Sequence, residues 1–85
     1  MVKQVQAECL VVTGEECAEL TKECMKILRF GLDDEKQKNL ISELGDVQCM
    51  IKLMCNHFNL DVDKISEASD NKYNKLRKWS NLING

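Results

Sequence analysis

Two pairs of carboxylates stand in stretches whose pattern is otherwise that of packed amphipathic helices. Glu16 and Glu19 are three residues apart in the first stretch, and Glu43 and Asp46 are three apart in the second. This spacing places both members of a pair on one side of a helix, about one turn apart. Like charges so placed repel each other, and removal from water makes the repulsion more costly. A cation held between the two pairs would relieve that cost, so these residues predict a metal site.

The composition of the 85-residue chain favours a single all-helical domain over residues 1–85, because proline is absent and only 5% of the residues are aromatic. The formal net charge of −2 does not indicate a basic surface that would bind nucleic acid, so we expect no nucleic-acid partner. No apolar run has the length that a bilayer requires and no signal-peptide pattern opens the chain, so we expect a cytoplasmic protein without a membrane partner.

The five cysteines lack Cys-x-x-Cys spacing. We expect reduced thiols that pack as small apolar residues, not zinc ligands.

The apolar periodicity predicts three helices, of which the first carries the first pair. It runs from about Val2 or Lys3 to Arg29, with Gly31 as its C-terminal stop signal. Thr13-Gly14-Glu15-Glu16 also matches a capping box that would begin a new helix. Because one apolar face continues across the glycine, we expect a continuous or slightly kinked helix.

The second predicted helix runs from near Asp34, with Gln37 as a weak capping partner, to about His57. The third begins at an Asp61 cap and continues to about Asn81. Its inner side consists of Val62, Ile65, Ser69, Leu76 and Trp79. A protomer of this size cannot bury all these apolar faces. We therefore predict three main helices per protomer that complete a four-helix-bundle-like core by homo-oligomerisation, with a homodimer as the minimum.

A helical wheel at about 100° per residue distinguishes the two pairs. Glu43 and Asp46 fall inside an apolar arc of the second helix and not on its polar strip. That arc is formed by Met50, Leu53 and Met54, and it flanks a face centred on Leu40, Leu44, Val47 and Ile51. Two carboxylates directed into such an arc need a partner, so this pair is the firmer one.

The first helix places its pair at the edge of the apolar face. Glu16 and Glu19 lie on this edge with Glu23 between them, so Glu23 is a further candidate ligand. Glu15 turns towards Lys22, on the wetter side of the helix. It is a candidate for positioning a water molecule, and pairing with a neighbouring lysine at the surface is an equal alternative.

A ligand set made only of carboxylate oxygens suits a hard cation, so we expect Mg²⁺ with Mn²⁺ as a substitute. Protein-bound Mg²⁺ is commonly shared with substrate phosphates, which indicates phosphate chemistry. Di-iron carboxylate bundles instead use Glu-x-x-His motifs, and the single histidine, His57, does not follow a glutamate at that spacing.

These motifs resemble a known family of enzymes. Glu15-Glu16-Cys17-Ala18-Glu19 together with Glu43-Leu44-Gly45-Asp46 resembles the E-E-x-x-E…E-x-x-D signature of the MazG-like nucleoside triphosphate pyrophosphohydrolases, members of the all-α NTP pyrophosphatase superfamily. Lys26-x-x-Arg29-Phe30-Gly31 further resembles its short, single-domain members. The similarity covers roughly Thr13 to Trp79.

The resemblance implies a Mg²⁺-dependent hydrolase that cleaves a nucleoside triphosphate between the α- and β-phosphates, giving a monophosphate and pyrophosphate. It implies metal ligation by Glu16, Glu19, Glu43 and Asp46 and catalytic roles for Glu15, Glu16 and Glu19. Family members grip phosphates with basic and amide side chains of a later helix, which here are Asn71, Lys72 and Lys75, with Lys26 as a further candidate. The sequence departs from the pattern at Leu76, where the family often has arginine. The resemblance also implies dimers or dimers of dimers and a role such as cleaning the nucleotide pool.

A second class of function stays open. The chain could be a non-catalytic helical module that mediates dimerisation or another interaction and carries its carboxylates at the surface. No residue indicates which base or sugar a nucleotide substrate would have.

Overall fold

The computed structural model describes residues 1–83, which form three α-helices and contain no β-strand. Helix α1 spans Gln4–Phe30, α2 spans Asp34–Phe58 and α3 spans Val62–Trp79. The predicted all-helical class is confirmed, and the helix ends lie within about two residues of those predicted. Among the helices described, none combines the length and the apolar character needed to cross a membrane.

Helix α1 is continuous, as predicted, and the alternative capping box at Thr13 does not form. The Thr13 hydroxyl donates to the carbonyl of Cys9 at 2.7 Å, which is a bond within the helix and not a cap. The helix ends at Gly31, whose φ of 86° lies in a region that glycine adopts without strain. The chain therefore turns immediately after α1.

The N-terminal cap of α2 lies one residue earlier than the sequence predicts, at Asp33. The Asp33 side chain accepts from the backbone N–H of Lys36 at 2.8 Å and also from the Lys36 ammonium at 2.8 Å. The predicted pairing of Asp34 with Gln37 is wrong, because Asp33 has the extended backbone of a cap and Asp34 already lies in the first turn.

Helices α1 and α2 pack side by side as an antiparallel hairpin. At its open end, the Gln6 side-chain amide donates to the carbonyl of His57 at 2.8 Å. Among residues 1–83, the apolar residues that the hairpin buries are Cys9 and Met50, each 6% exposed. The predicted centre of the apolar face of α2 is only partly covered: Leu40 and Val47 are half-buried, whereas Leu44 is 50% and Ile51 46% exposed. The hairpin therefore brings the carboxylate-bearing side of α2 towards α1.

Helix α3 starts where predicted, with the Asp61 side chain accepting from the Asp63 N–H at 2.9 Å. It makes few contacts with the hairpin. Of its predicted inner side, Leu76 is half-buried and the other four residues are exposed, with Trp79 at 83%. The inner side of α3 is thus largely exposed in this chain.

The protomer is open for its size. Its radius of gyration is 15.5 Å, against about 12 Å for a compact domain of this length. Its accessible surface is 7152 Å², against about 5,200 Å² for a compact monomer of this mass. Much of the apolar surface that a compact fold would cover therefore remains in contact with solvent.

Candidate metal centre

Three of the predicted carboxylates meet at the middle of the hairpin. Glu16 of α1 and Glu43 and Asp46 of α2 each offer a ligand oxygen, and these three oxygens all lie within 4.8 Å of one another. The spacing of three residues turns both α2 carboxylates towards α1, and the antiparallel register brings Glu16 opposite them. One residue from the first pair and both residues of the second therefore form a cluster, which we call the carboxylate cluster.

The cluster is partly withdrawn from water. Glu16 and Glu43 are half-buried, whereas Asp46 is exposed. The Glu43 Oε2 atom is buried and has no hydrogen-bond partner among the residues described. A buried oxygen without a donor carries a desolvation cost, and neighbouring carboxylates increase it. A cation placed in the cluster would satisfy this oxygen.

The position of Glu16 changes its acidity. Partial desolvation raises the pKa of the Glu16 carboxyl above its ordinary value of 4.5, and the charge of Asp46 raises it further. The charges of Glu43 and Glu19 act in the same direction. A carboxyl whose ionisation is opposed by three neighbouring acids is a group that a divalent cation would stabilise in its ionised form.

Two predicted residues stay outside the cluster. Glu19 and Glu15 are both exposed, and neither belongs to the group of oxygens that meet within 4.8 Å. Glu19 still lies one turn after Glu16 and raises its pKa. It therefore lies at the border of the site, within the same electrostatic field.

Glu23 is more enclosed than the sequence indicated. It is 6% exposed, and its Oε1 atom has no hydrogen-bond partner among residues 1–83. Its other oxygen lies 3.9 Å from the ammonium of Lys26. The signal for this burial was its position seven residues after Glu16, which is two helical turns along the same face. Glu23 thus extends the row of carboxylates on α1 beyond the cluster.

A cleft of about 200 Å³ gives access to the cluster, and it is lined by Val12, Glu16, Asp46, Cys49 and Met50. Cys49 is exposed here, as is Cys17 on α1, so the prediction that all cysteines pack as small apolar residues is wrong for these two. Cys9 does pack in this way. The cleft combines carboxylates with an apolar wall, which a small ligand with polar and apolar parts could occupy.

The predicted phosphate-binding residues divide between two places. Lys26 lies on α1, within two to three turns of the cluster. Asn71, Lys72 and Lys75 are exposed on α3, and α3 makes few contacts with the hairpin. Within one protomer, the α3 residues are therefore not gathered with the carboxylates.

The donor set fits a hard divalent cation. Glu16, Glu43 and Asp46 supply oxygen ligands only, and the Oε2 atom of Glu43 has no hydrogen-bond donor among the residues described. Mg²⁺ prefers oxygen ligands and retains several waters, so three protein carboxylates leave positions for water or for phosphate oxygens.

Comparison of the chain with protein-family models, with curated proteins and with solved structures returned no match. The resemblance to the MazG-like enzymes therefore depends on the motif residues alone.

Proposed function

We propose that this chain is a Mg²⁺-dependent nucleoside triphosphate pyrophosphohydrolase, which releases a nucleoside monophosphate and pyrophosphate in the cytoplasm. The observation that supports a metal site is the meeting of three carboxylate oxygens within 4.8 Å, one of them on the half-buried Glu43 with an unpartnered oxygen. The reaction itself is taken from the resemblance of the two carboxylate motifs to the MazG-like family. Cleaning of the nucleotide pool is the corresponding proposed role.

In this proposal Glu16, Glu43 and Asp46 hold the cation, and Glu19 joins them at the border of the site. When bound, Mg²⁺ supplies charge neutralisation for the triphosphate and lowers the pKa of a coordinated water; Mn²⁺ would substitute. A carboxylate oxygen of Glu16 that is not bound to the cation would accept a proton from a water close to it. Glu15 is exposed on the same helix and is the alternative residue for orienting that water.

The proposed enzyme is a homodimer or a dimer of dimers. The open shape of the protomer supports this, because α3 and the outer face of α2 leave large apolar side chains exposed. A second copy that covers them would complete a four-helix core. Asn71, Lys72 and Lys75 lie free of their own hairpin and are proposed to serve the site of a neighbouring copy.

The direct test is incubation of the purified protein with canonical and damaged nucleoside triphosphates and Mg²⁺, with pyrophosphate and orthophosphate measured separately. Release of pyrophosphate that is lost in Glu43→Gln supports the proposal. Glu67→Gln is the matched control, since Glu67 is an exposed glutamate of α3. Orthophosphate as the sole product would refute cleavage between the α- and β-phosphates.

The non-catalytic helical module remains the second candidate, and the exposed apolar faces suit it equally well. Metal binding separates the two proposals. A melting temperature that neither Mg²⁺ nor Mn²⁺ changes, together with an absence of triphosphate hydrolysis, would favour the interaction module.

A further inference from the structure

The last turns of α1 carry a cluster of cations that the metal site does not use. Lys22, Lys26 and Arg29 follow at spacings of four and three and therefore lie on one side of the helix. Together with Met25 and Phe30 they line a depression of about 320 Å³. We call these three cations the basic flank.

The charges of the basic flank are poorly neutralised. Among residues 1–83, neither Lys22 nor Arg29 has a carboxylate oxygen within 4.0 Å, and Lys26 has only Glu23, at 3.9 Å. The Arg29 guanidinium stands 5.9 Å from the ring centre of Phe30. Three like charges on adjacent turns repel one another in a chain whose net charge is −2. An anionic ligand would remove this repulsion.

The basic flank lies beside the carboxylates. On a helical wheel, Lys22 and Lys26 share the side of α1 that carries Glu15 and Glu19. At about 1.5 Å of rise per residue, Lys22, Lys26 and Arg29 lie about 9, 15 and 20 Å beyond Glu16 along the helix axis. A polyphosphate bound by the cation at one end would extend along the helix axis from the carboxylate cluster towards these cations, and Lys22 would be the first that it meets.

We propose that the basic flank binds the β- and γ-phosphates of the triphosphate, the part that leaves as pyrophosphate. This assignment rests on the proposed function and deepens it, because it places the phosphate grip on α1 of the same protomer. Arg29 provides a planar donor fork for phosphate oxygens, and the two lysines provide compact charges. Lys22 and Arg29 thereby join Lys26, for which the family resemblance already implied phosphate binding.

Titration calorimetry with inorganic tripolyphosphate tests the proposal, in EDTA and without divalent cation so that the carboxylate cluster does not contribute. We expect Lys22→Gln, Lys26→Gln and Arg29→Gln each to weaken binding by about three- to tenfold, which is about 0.7 to 1.4 kcal/mol. Lys64→Gln, which removes an exposed lysine of α3, should bind as the wild type does. Added salt should weaken binding to the wild type more than to the variants.

The outcomes separate this inference from the proposed function. If the wild type releases pyrophosphate from nucleotides but the three variants bind tripolyphosphate as tightly as it does, phosphate binding by the basic flank is refuted. The proposed pyrophosphohydrolase activity is then still supported. If the variants lose tripolyphosphate binding while the wild type hydrolyses no nucleotide, the polyphosphate site stands and the enzyme assignment fails. Tighter binding of a single-stranded oligonucleotide than of tripolyphosphate, lost in the same variants, would also overturn the proposal.

Discussion

The exposed surface of the chain predicts the area that a second copy would cover in the proposed dimer. The accessible surface of 7152 Å² exceeds the value for a compact monomer of this mass by about 2,000 Å². If each of two copies buries that excess, the interface removes about 4,000 Å² in total, which is the size of an obligate dimer interface. We therefore expect a stable dimer at micromolar concentration, with little free folded monomer.

Leu44→Glu on α2 is the perturbation that tests this surface. Leu44 lines an open depression on the outer side of α2, together with Ile41, Val47 and Ile51. It is 50% exposed, so covering the rest of its side chain contributes about 1 kcal/mol per copy. A glutamate there would in addition need to lose its hydration, which costs more than the lost apolar contact. A two-fold axis doubles both effects.

Sedimentation equilibrium provides the measurement. The wild type should have the mass of two 9.8 kDa chains or a multiple of it, and Leu44→Glu should shift the distribution towards the monomer. Ser42→Glu, which places the same charge at an exposed polar position of α2, should leave the mass unchanged. A wild-type mass of one chain at all concentrations would refute the reasoning. So would a folded Leu44→Glu variant with the wild-type mass.

Three further predictions concern the metal centre and the helix ends. Glu43→Gln should raise the melting temperature of the metal-free protein by about 4 °C, because it relieves about 1 kcal/mol of repulsion between carboxylates. The same variant should lose the stabilisation by Mg²⁺. An unchanged response to Mg²⁺ would exclude Glu43 as a ligand. Because the pKa of Glu16 is raised in the folded state, the folded protein binds a proton more tightly than the unfolded chain does. Metal-free stability should therefore increase as the pH falls from 7 towards the ordinary Glu16 value of 4.5, and thermal melts of Glu16→Gln should show a weaker slope; equal slopes would contradict the cause assigned. Asp61→Ala removes the cap of α3 and should lower the free energy of unfolding by about 1 kcal/mol, measured by urea denaturation, with Asp70→Ala inside the same helix as a control.

The sequence by itself determined the helices and where they end. Local features carry this information, such as the glycine at position 31, the side-chain cap of Asp61 and apolar periodicity over many residues. It also determined which carboxylates share a helix side, because the spacing between Glu43 and Asp46 defines their angular separation in any α-helix. The cap of α2 was misplaced by one residue because two adjacent aspartates offer nearly the same chemistry, and only the backbone conformation distinguishes Asp33 from Asp34.

Only the tertiary structure decided which carboxylates meet and which side of α2 turns towards α1. A helical wheel describes angles about the axis of one helix, whereas the rotation of a helix against its neighbour depends on all contacts between them. That rotation gathers Glu16 with Glu43 and Asp46, leaves Glu19 exposed and buries Glu23. It also leaves Leu44 exposed, and most apolar residues of α3 are exposed as well, because α3 makes few contacts with the hairpin.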